Sequence, residues 1–457
     1  MAYVSRVLLP IGVGRVASAQ NIVTYFVLIA SLGLPIYGVK VIAGLSDDRE
    51  KSSVAFSELF IINAISTILC SFIYIMMILS VDFFQTKIMI SVVVGIQLFA
   101  NILNIDWLYQ GFEEYKYITI RSAVVKIISL VAIFMFVKTQ EDYIIYAFIT
   151  AMGLVLNFVL NIIKLKDYVS LKLKNLEIKK HLKPVFVLLA STIAIEVYVL
   201  GGTTILSVLK GDEDVAYYTY STKAISVVRT LIVAICAVFL PRLNYYICHS
   251  QYDDFNKLAS KGISIILNLC IPIAIVLCIL SDDCVNILFG ANYISVIPSM
   301  QILCISLVTI ALSNFTGYQI LVSIGKEKIV LYSTIIGAII NLSINFALIV
   351  PFGYMGAAIA GVVTEGVIAI YQYYYVLKFV PINIGIKDIL KMLIPSFAII
   401  IPILIFKSII NDIYIEITIC SLIGILIYLF AAYAVKNDFL YLILEKTKLQ
   451  QRIKNNT

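Results

Sequence analysis

Charge is scarce in this sequence, and histidine and tryptophan are nearly absent. Asp, Glu, Lys and Arg make up 13% of the 457 residues, with 2 His and 1 Trp. So little charge excludes an ordinary soluble domain, and it also excludes a charge-solvated disordered chain. His181 and His249 read as residues of separate loops, so no metal cluster is expected. The 8 cysteines show no CxxC spacing and mostly fall inside apolar runs. They read as small packing residues, not as a disulfide framework or a metal site. No glycine-rich phosphate loop and no nucleophile–base pair stands out. Neither enzymatic activity nor a cofactor is expected.

What the chain has in abundance is apolar length. It is 61% hydrophobic with a mean hydropathy of +1.01. A hydrocarbon core of about 30 Å needs about 20 apolar residues per helix. Runs of that length fall near 15–37, 56–80, 87–105, 117–137, 143–164, 184–208, 216–240, 261–280, 296–322, 328–350, 355–378, 388–407 and 413–435. Lipid accepts only structures whose backbone hydrogen bonds close internally. The expected fold class is therefore an all-α polytopic membrane protein of about 13 spans. Pro35 and Pro241 are expected to close spans, and Pro272, Pro395 and Pro402 to kink them.

Lysine and arginine alternate sides. The breaks after every odd-numbered span up to the eleventh, with the C-terminal tail, hold 25 of these residues; the opposite breaks hold 6, and Lys126, Lys223 and Arg229 lie inside spans. The positive-inside rule makes the first set cytoplasmic. The net charge of +7 is then a topology signal, and no nucleic-acid partner is expected. An odd number of spans with a cytoplasmic tail puts Met1 outside, as though a helix were missing at the front.

The opening stretch from Tyr3 (YVSRVLLPIGVG) through Leu59 resembles the start of the Wzx-type polysaccharide repeat-unit flippases, which share a superfamily with MATE exporters and the lipid II flippase. Asp106–Lys116 (DWLYQGFEEYK), Phe239–Leu243 (FLPRL), LFGANYISVIPSMQIL and the Gly317–Lys328 turn (GYQILVSIGKEK) extend the resemblance over essentially the whole chain, in the expected order. It implies a MATE-like two-lobe helical bundle in which the spans correspond to family helices 2–14. Residues 1–165 would be a five-helix N-terminal lobe lacking the first family helix, and 166–183 a lysine-rich cytoplasmic inter-lobe loop. Residues 184–378 would be a six-helix C-terminal lobe, 379–435 two additional helices, and 436–457 a cytoplasmic tail. A misassigned start, a shortened chain or a decayed copy would each account for the absent helix.

Charge inside a span carries the site reading. An ionised side chain at mid-membrane costs about 2.5–3.5 kcal/mol on insertion scales and is a functional candidate by default. Arg229 sits mid-span and Lys223 in the first third of the same run; Lys126, Glu196 and Glu365 are mid-span elsewhere, and Glu58 lies just inside its span, as a solvated or capping group. Two readings stay open. Lys126, Arg229, Glu196 and Glu365 sum to zero and could be structural ion pairs. Alternatively the cations face a cavity and hold a pyrophosphate, with the carboxylates as coupling groups; the family resemblance favours Arg229, since the matching helix carries basic residues toward anionic substrate. Asp106, Trp107, Gln110 and Gly111 belong to a turn read as a membrane-anchored interface or a gate, with Trp107, Tyr109 and Tyr115 as interfacial aromatics and Gly111 as the bend. Tyr371–Tyr375 (YQYYY) reads as an aromatic belt.

By resemblance the function is transfer of polyprenyl (undecaprenyl)-pyrophosphate-linked oligosaccharide from the cytoplasmic to the outer leaflet of a bacterial cytoplasmic membrane, for capsule, exopolysaccharide or O-antigen assembly. The partners would be that lipid-linked oligosaccharide and membrane lipids, with polysaccharide polymerase and glycosyltransferases as neighbours. The alternatives are a MATE-type cation-coupled drug exporter and an inactive remnant.

Overall fold

The computed structural model describes residues 1–437 except 173, 175 and 383, so most of the expected C-terminal tail lies outside the described residues. Among the described residues every regular element is helical. The chain divides into two compact units, Tyr3–Ala216 and, with Met1 and Ala2, the part from Tyr217 onward.

In the first unit, α1 (Ala2–Ser31) is kinked at Leu9, whose φ is 56°. Leu9 precedes Pro10, and proline both disfavours helical geometry in the residue before it and lacks an N–H for the ladder. Leu32 and Gly33, with φ of 51° and 76°, turn the chain into α2 (Leu34–Ala43). Pro35 thus opens α2, where a missing N–H costs nothing, and does not close the preceding span. α3 (Arg49–Ser80) is capped by Asp48, which accepts from the Glu50 and Lys51 amides; these bonds, chiefly that from Lys51, hold its carboxyl below the ordinary range. Then come α4 (Ile88–Ala100), the short α5 (Asp106–Gly111), α6 (Tyr115–Phe136), α7 (Tyr143–Ile163) and α8 (Lys179–Leu209). The two halves of α8, Lys179–Val197 and Val199–Leu209, meet at 55°. α8 packs on α2 in this unit, although the sequence reading assigns it to the second lobe.

The second unit contains α9 (Asp212–Ala237, apart from its first turn), α10 (Leu240–Cys248), α11 (Tyr252–Ile279) and α12 (Ser281–Leu288). These are followed by α13 (Val296–Asn314), α14 (Glu327–Phe352), α15 (Tyr354–Phe379), α16 (Ile386–Ala398), α17 (Ile400–Ile409) and α18 (Ile413–Ala434). Pro402 cannot donate to Ala398, and the helix breaks at Ile399 between α16 and α17. α13 runs on as a π-helix over Phe315–Leu321, so the Gly317–Lys328 motif turns only after Leu321. A Cβ on Gly317 would come within 2.7 Å of the Gln372 Oε1. That amide is buried, accepting from Thr316 at 3.2 Å and donating to Ser333 at 2.9 Å. The YQYYY run is therefore no uniform belt: Tyr374 is exposed, whereas Gln372 is a core residue.

Among the described residues, eleven helices or joined helices are long and apolar enough to cross a bilayer; the bent α8 makes a twelfth, and the shorter Ile88–Leu103 occupies the remaining position read from sequence. Large apolar side chains lie outward in rows, among them Ile65, Ile68, Leu69 and Phe72 on α3 and Ile127, Ile128, Leu130 and Val131 on α6. Apolar surface this extensive suits lipid, not water. The chain is a multi-pass helical membrane protein.

Candidate functional site

The cations singled out by sequence stand on apolar helices with little to neutralise them. Lys126 on α6 and Arg229 on α9 are exposed and, among the described residues, make no ion pair. Lys223 is half-buried, its Nζ 5.6 Å from the centre of the Tyr220 ring. On α9 the buried face carries Tyr220, Ser221, Ala224 and Ile225, and the exposed face Ser226, Val227, Arg229 and Thr230. Six residues are about 120° around a helix, so Lys223 and Arg229 do not share a face. Glu196 is half-buried on α8 and Glu365 buried on α15, and neither is held by Arg229 or Lys126.

Glu58 is not solvated. Its carboxylate is 1% exposed, with Oε1 2.6 Å from the Glu177 amide and Oε2 2.8 Å from His181 Nε2 and 3.1 Å from Lys180 Nζ. His181, expected in a loop, is buried in the first turn of α8, and its Nδ1 is 2.9 Å from the Tyr37 hydroxyl on α2. The segment leading into α8 runs along α3: the Ser170 and Lys172 amides donate to Ser53 Oγ at 3.1 Å and Ser57 Oγ at 2.8 Å. The sequence did carry a signal for this dock. Ser53 and Ser57 fall on one stripe of the helix, at the i, i+4 spacing that puts side chains together, with the charged Glu58 beside them.

The Asp106–Lys116 motif folds inward. Trp107 and Tyr109 are 3% and 0% exposed, so only Tyr115 remains of the three aromatics expected at the interface. Trp107 packs against Phe56 with ring centres 5.8 Å apart. Gly111 is buried and helical: a Cβ there would come 2.7 Å from Ile42, and one on Gly38 would come 2.6 Å from the Trp107 ring. The glycines permit close approach of α2 and α5, not a bend. Gln110 is half-buried in the same helix. Asp106 accepts from Arg121 Nη2 at 2.9 Å and from Asn161 Nδ2 at 2.8 Å, while the Tyr109 hydroxyl donates to the Asn161 carbonyl. Arg121, counted in a loop from sequence, is 5% exposed, and its Nε and Nη1 lack protein partners among the described residues.

At the other end of the first unit, Asp212 gathers Lys87, Arg15 at 3.9 Å and Ser18 Oγ at 3.2 Å. These partners lie more than a hundred residues from Asp212, and no local pattern announces them.

Comparison with known proteins gives the family. Residues 1–246 match the polysaccharide biosynthesis protein family. A Shigella dysenteriae protein described as "Putative O-antigen transporter" is 25% identical over 379 residues, covering 81% of this chain and 93% of that one. Among solved structures, the lipid II flippase MurJ in an inward closed conformation aligns with a TM-score of 0.74 at 16% identity, covering 96% of this chain and 98% of the other. An inward-facing multidrug resistance MATE family transporter of the MOP superfamily aligns with a TM-score of 0.63 at 14% identity, covering 83% and 94%. The fold is MATE-like, and the chain belongs to the polysaccharide biosynthesis protein family.

Proposed function

We propose that this protein is a flippase, not an enzyme, moving polyprenyl (undecaprenyl)-pyrophosphate-linked oligosaccharide repeat units from the cytoplasmic to the outer leaflet of a bacterial cytoplasmic membrane by alternating access. The observation that carries the reading is that Arg229 and Lys126, each on a membrane helix of its own unit, make no ion pair among the described residues. A guanidinium keeps its proton throughout the accessible pH range, and at about 2.5–3.5 kcal/mol per mid-membrane charge its position needs water or an anion. A pyrophosphate supplies two adjacent anionic groups, which guanidinium and ammonium donors bind by charge-assisted hydrogen bonds. Lys223 is a supporting contact, Glu196 and Glu365 are the candidates for coupling, and Asp106, Trp107, Gln110 and Gly111 form a gating turn. The membership in a polysaccharide biosynthesis family and the O-antigen transporter relative support the substrate class.

The test compares Arg229→Ala with Arg229→Lys in a host that depends on this gene for surface polysaccharide. Normal membrane abundance with polysaccharide lost in the alanine variant, and partly restored by lysine, is expected. Wild-type surface polysaccharide from Arg229→Ala contradicts the role of Arg229. Restoration of drug or dye efflux in place of polysaccharide would assign the chain to organic-cation export.

A further inference from the structure

We propose that the cytoplasmic ends of α14 and α15 form a binding site for the phosphate of an anionic phospholipid, held by Lys326 and Lys378 on a row of aromatic rings. Tyr371, Tyr375 and Phe379 recur every four residues in the last turns of α15, the spacing that stacks side chains on one face of a helix. The Tyr371 and Tyr375 ring centres are 5.0 Å apart. Lys378 lies against this row, its Nζ 5.3 Å from the centre of Tyr375 and 4.4 Å from that of Tyr374. Lys326, the residue before α14, stands 5.0 Å from the centre of Phe379. Two ammonium groups from different helices thus rest on successive rings, Tyr375 and Phe379, of one row.

No carboxylate accounts for this gathering of like charge. Lys326 and Lys378 are exposed and, among the described residues, neither makes an ion pair; nor does the adjacent Glu327. An aromatic face attracts a cation through its quadrupole, but a ring has no net charge to offset the repulsion between two ammonium groups. Each ammonium has three donors and no acceptor, so a ring on one side leaves N–H groups for an oxyanion on the other. A phosphate reached by both lysines supplies the missing negative charge through charge-assisted hydrogen bonds.

The setting selects a lipid as the carrier of that phosphate. Lys326 follows the ninth apolar run and Lys378 ends the eleventh, and the positive-inside rule puts both on the cytoplasmic side. Beside the row, Ile370, Tyr374 and Leu377 make an exposed stripe of α15, with Ile370 71% exposed. Ile370 precedes Lys378 by eight residues, about 12 Å along the helix axis. Ammonium donors at one end and a bare apolar wall leading away from them match the order of a phospholipid, with phosphate at the lysines and acyl chain along the wall. Basic sites of this kind between membrane helices on the cytoplasmic side recognise anionic headgroups. A zwitterionic headgroup would bring its own ammonium against the lysines, and free phosphate would leave the wall unused. The site rests on the membrane placement of the chain and not on what the chain transports.

The test uses purified full-length protein in detergent, with phosphatidylglycerol or phosphatidylcholine of the same acyl chains added and bound lipid counted by native mass spectrometry. Wild-type protein should retain phosphatidylglycerol in preference to phosphatidylcholine, and the preference should fade as ammonium acetate is raised and screens the charges. Lys326→Gln combined with Lys378→Gln keeps the rings and the wall. It should bind phosphatidylglycerol about thirty-fold more weakly, at about fivefold for each juxtamembrane lysine removed. Arginine at both positions should keep the preference. Lys174→Gln with Lys183→Gln removes the same charge from other exposed positions and should leave the preference unchanged. Equal retention of the two lipids by wild-type protein, or a preference that salt does not weaken, would overturn the inference. So would undiminished phosphatidylglycerol binding by the Lys326→Gln, Lys378→Gln protein, or an equal loss in the Lys174→Gln, Lys183→Gln protein.

Discussion

Placing one methyl group on Gly38 tests the packing of α5 against α2. The Cβ of Gly38→Ala would come 2.6 Å from the Trp107 ring, against an ordinary carbon–carbon contact of about 3.5–4.0 Å. The ring or the helix must therefore move by nearly an ångström. Trp107 is 3% exposed and wedged against Phe56, so it has no free direction in which to yield. Overpacking of this kind costs about 1–3 kcal/mol. Trp107 is also the only tryptophan, so its selectively excited emission reports the damaged contact itself. Wild-type protein in bilayers should show blue-shifted emission weakly quenched by brominated lipid; Gly38→Ala should raise the quenching and lower thermal stability and membrane abundance. Gly38→Ala combined with Trp107→Leu should recover part of the loss, with a coupling of about 0.5–3 kcal/mol. Strong quenching in the wild type, or a Gly38→Ala protein as stable as wild type, would refute the buried placement of Trp107 and return it to the membrane interface.

Further outcomes follow from the ion pairs and the topology. Arg121→Met leaves the part-exposed Asp106 bound only through Asn161 among the described residues, so membrane abundance should fall below that of Asp106→Asn, Arg121→Met; equal abundance of the two would remove the pair from the account. Lys407→Met should destabilise the second unit, because Lys407 joins the part-exposed Asp282 and the buried Asp283, which lies beside Glu416; unchanged thermal stability in detergent would count against it. A reporter fused after Lys174 should read cytoplasmic and one after Asp212 external, and the reverse at either site would overturn the orientation drawn from the lysine distribution.

Much of the architecture was legible because membrane helices announce themselves by length: the thirteen apolar runs all reappear as helices or joined helices, Ile88–Leu103 being short and α8 bent. The sites were legible less evenly. Trp107 and Tyr109 are amphipathic, and sequence alone cannot say whether such rings anchor at a headgroup layer or pack inside; here the two glycines that admit α5 against α2 decide it. Glu58 read as a solvated or capping group because its three partners, Glu177, Lys180 and His181, come from a segment more than a hundred residues away. Asp212 with Lys87, and Lys407 with Asp282, are likewise separated by 125 residues each. Arg229 and Lys126 stand out as candidates because a charge is conspicuous in an apolar run wherever the chain folds.

The measurement that bears most directly on function is movement of the lipid-linked glycan itself. Purified full-length protein would be reconstituted in sealed vesicles holding a fluorescent polyprenyl-pyrophosphate oligosaccharide in both leaflets, with an added membrane-impermeant glycosidase reporting what is accessible outside. The account predicts that the protected inner-leaflet glycan becomes accessible with the wild-type protein and stays protected with Arg229→Ala. Continued protection with correctly folded wild-type protein, or equal exposure with Arg229→Ala, would contradict it.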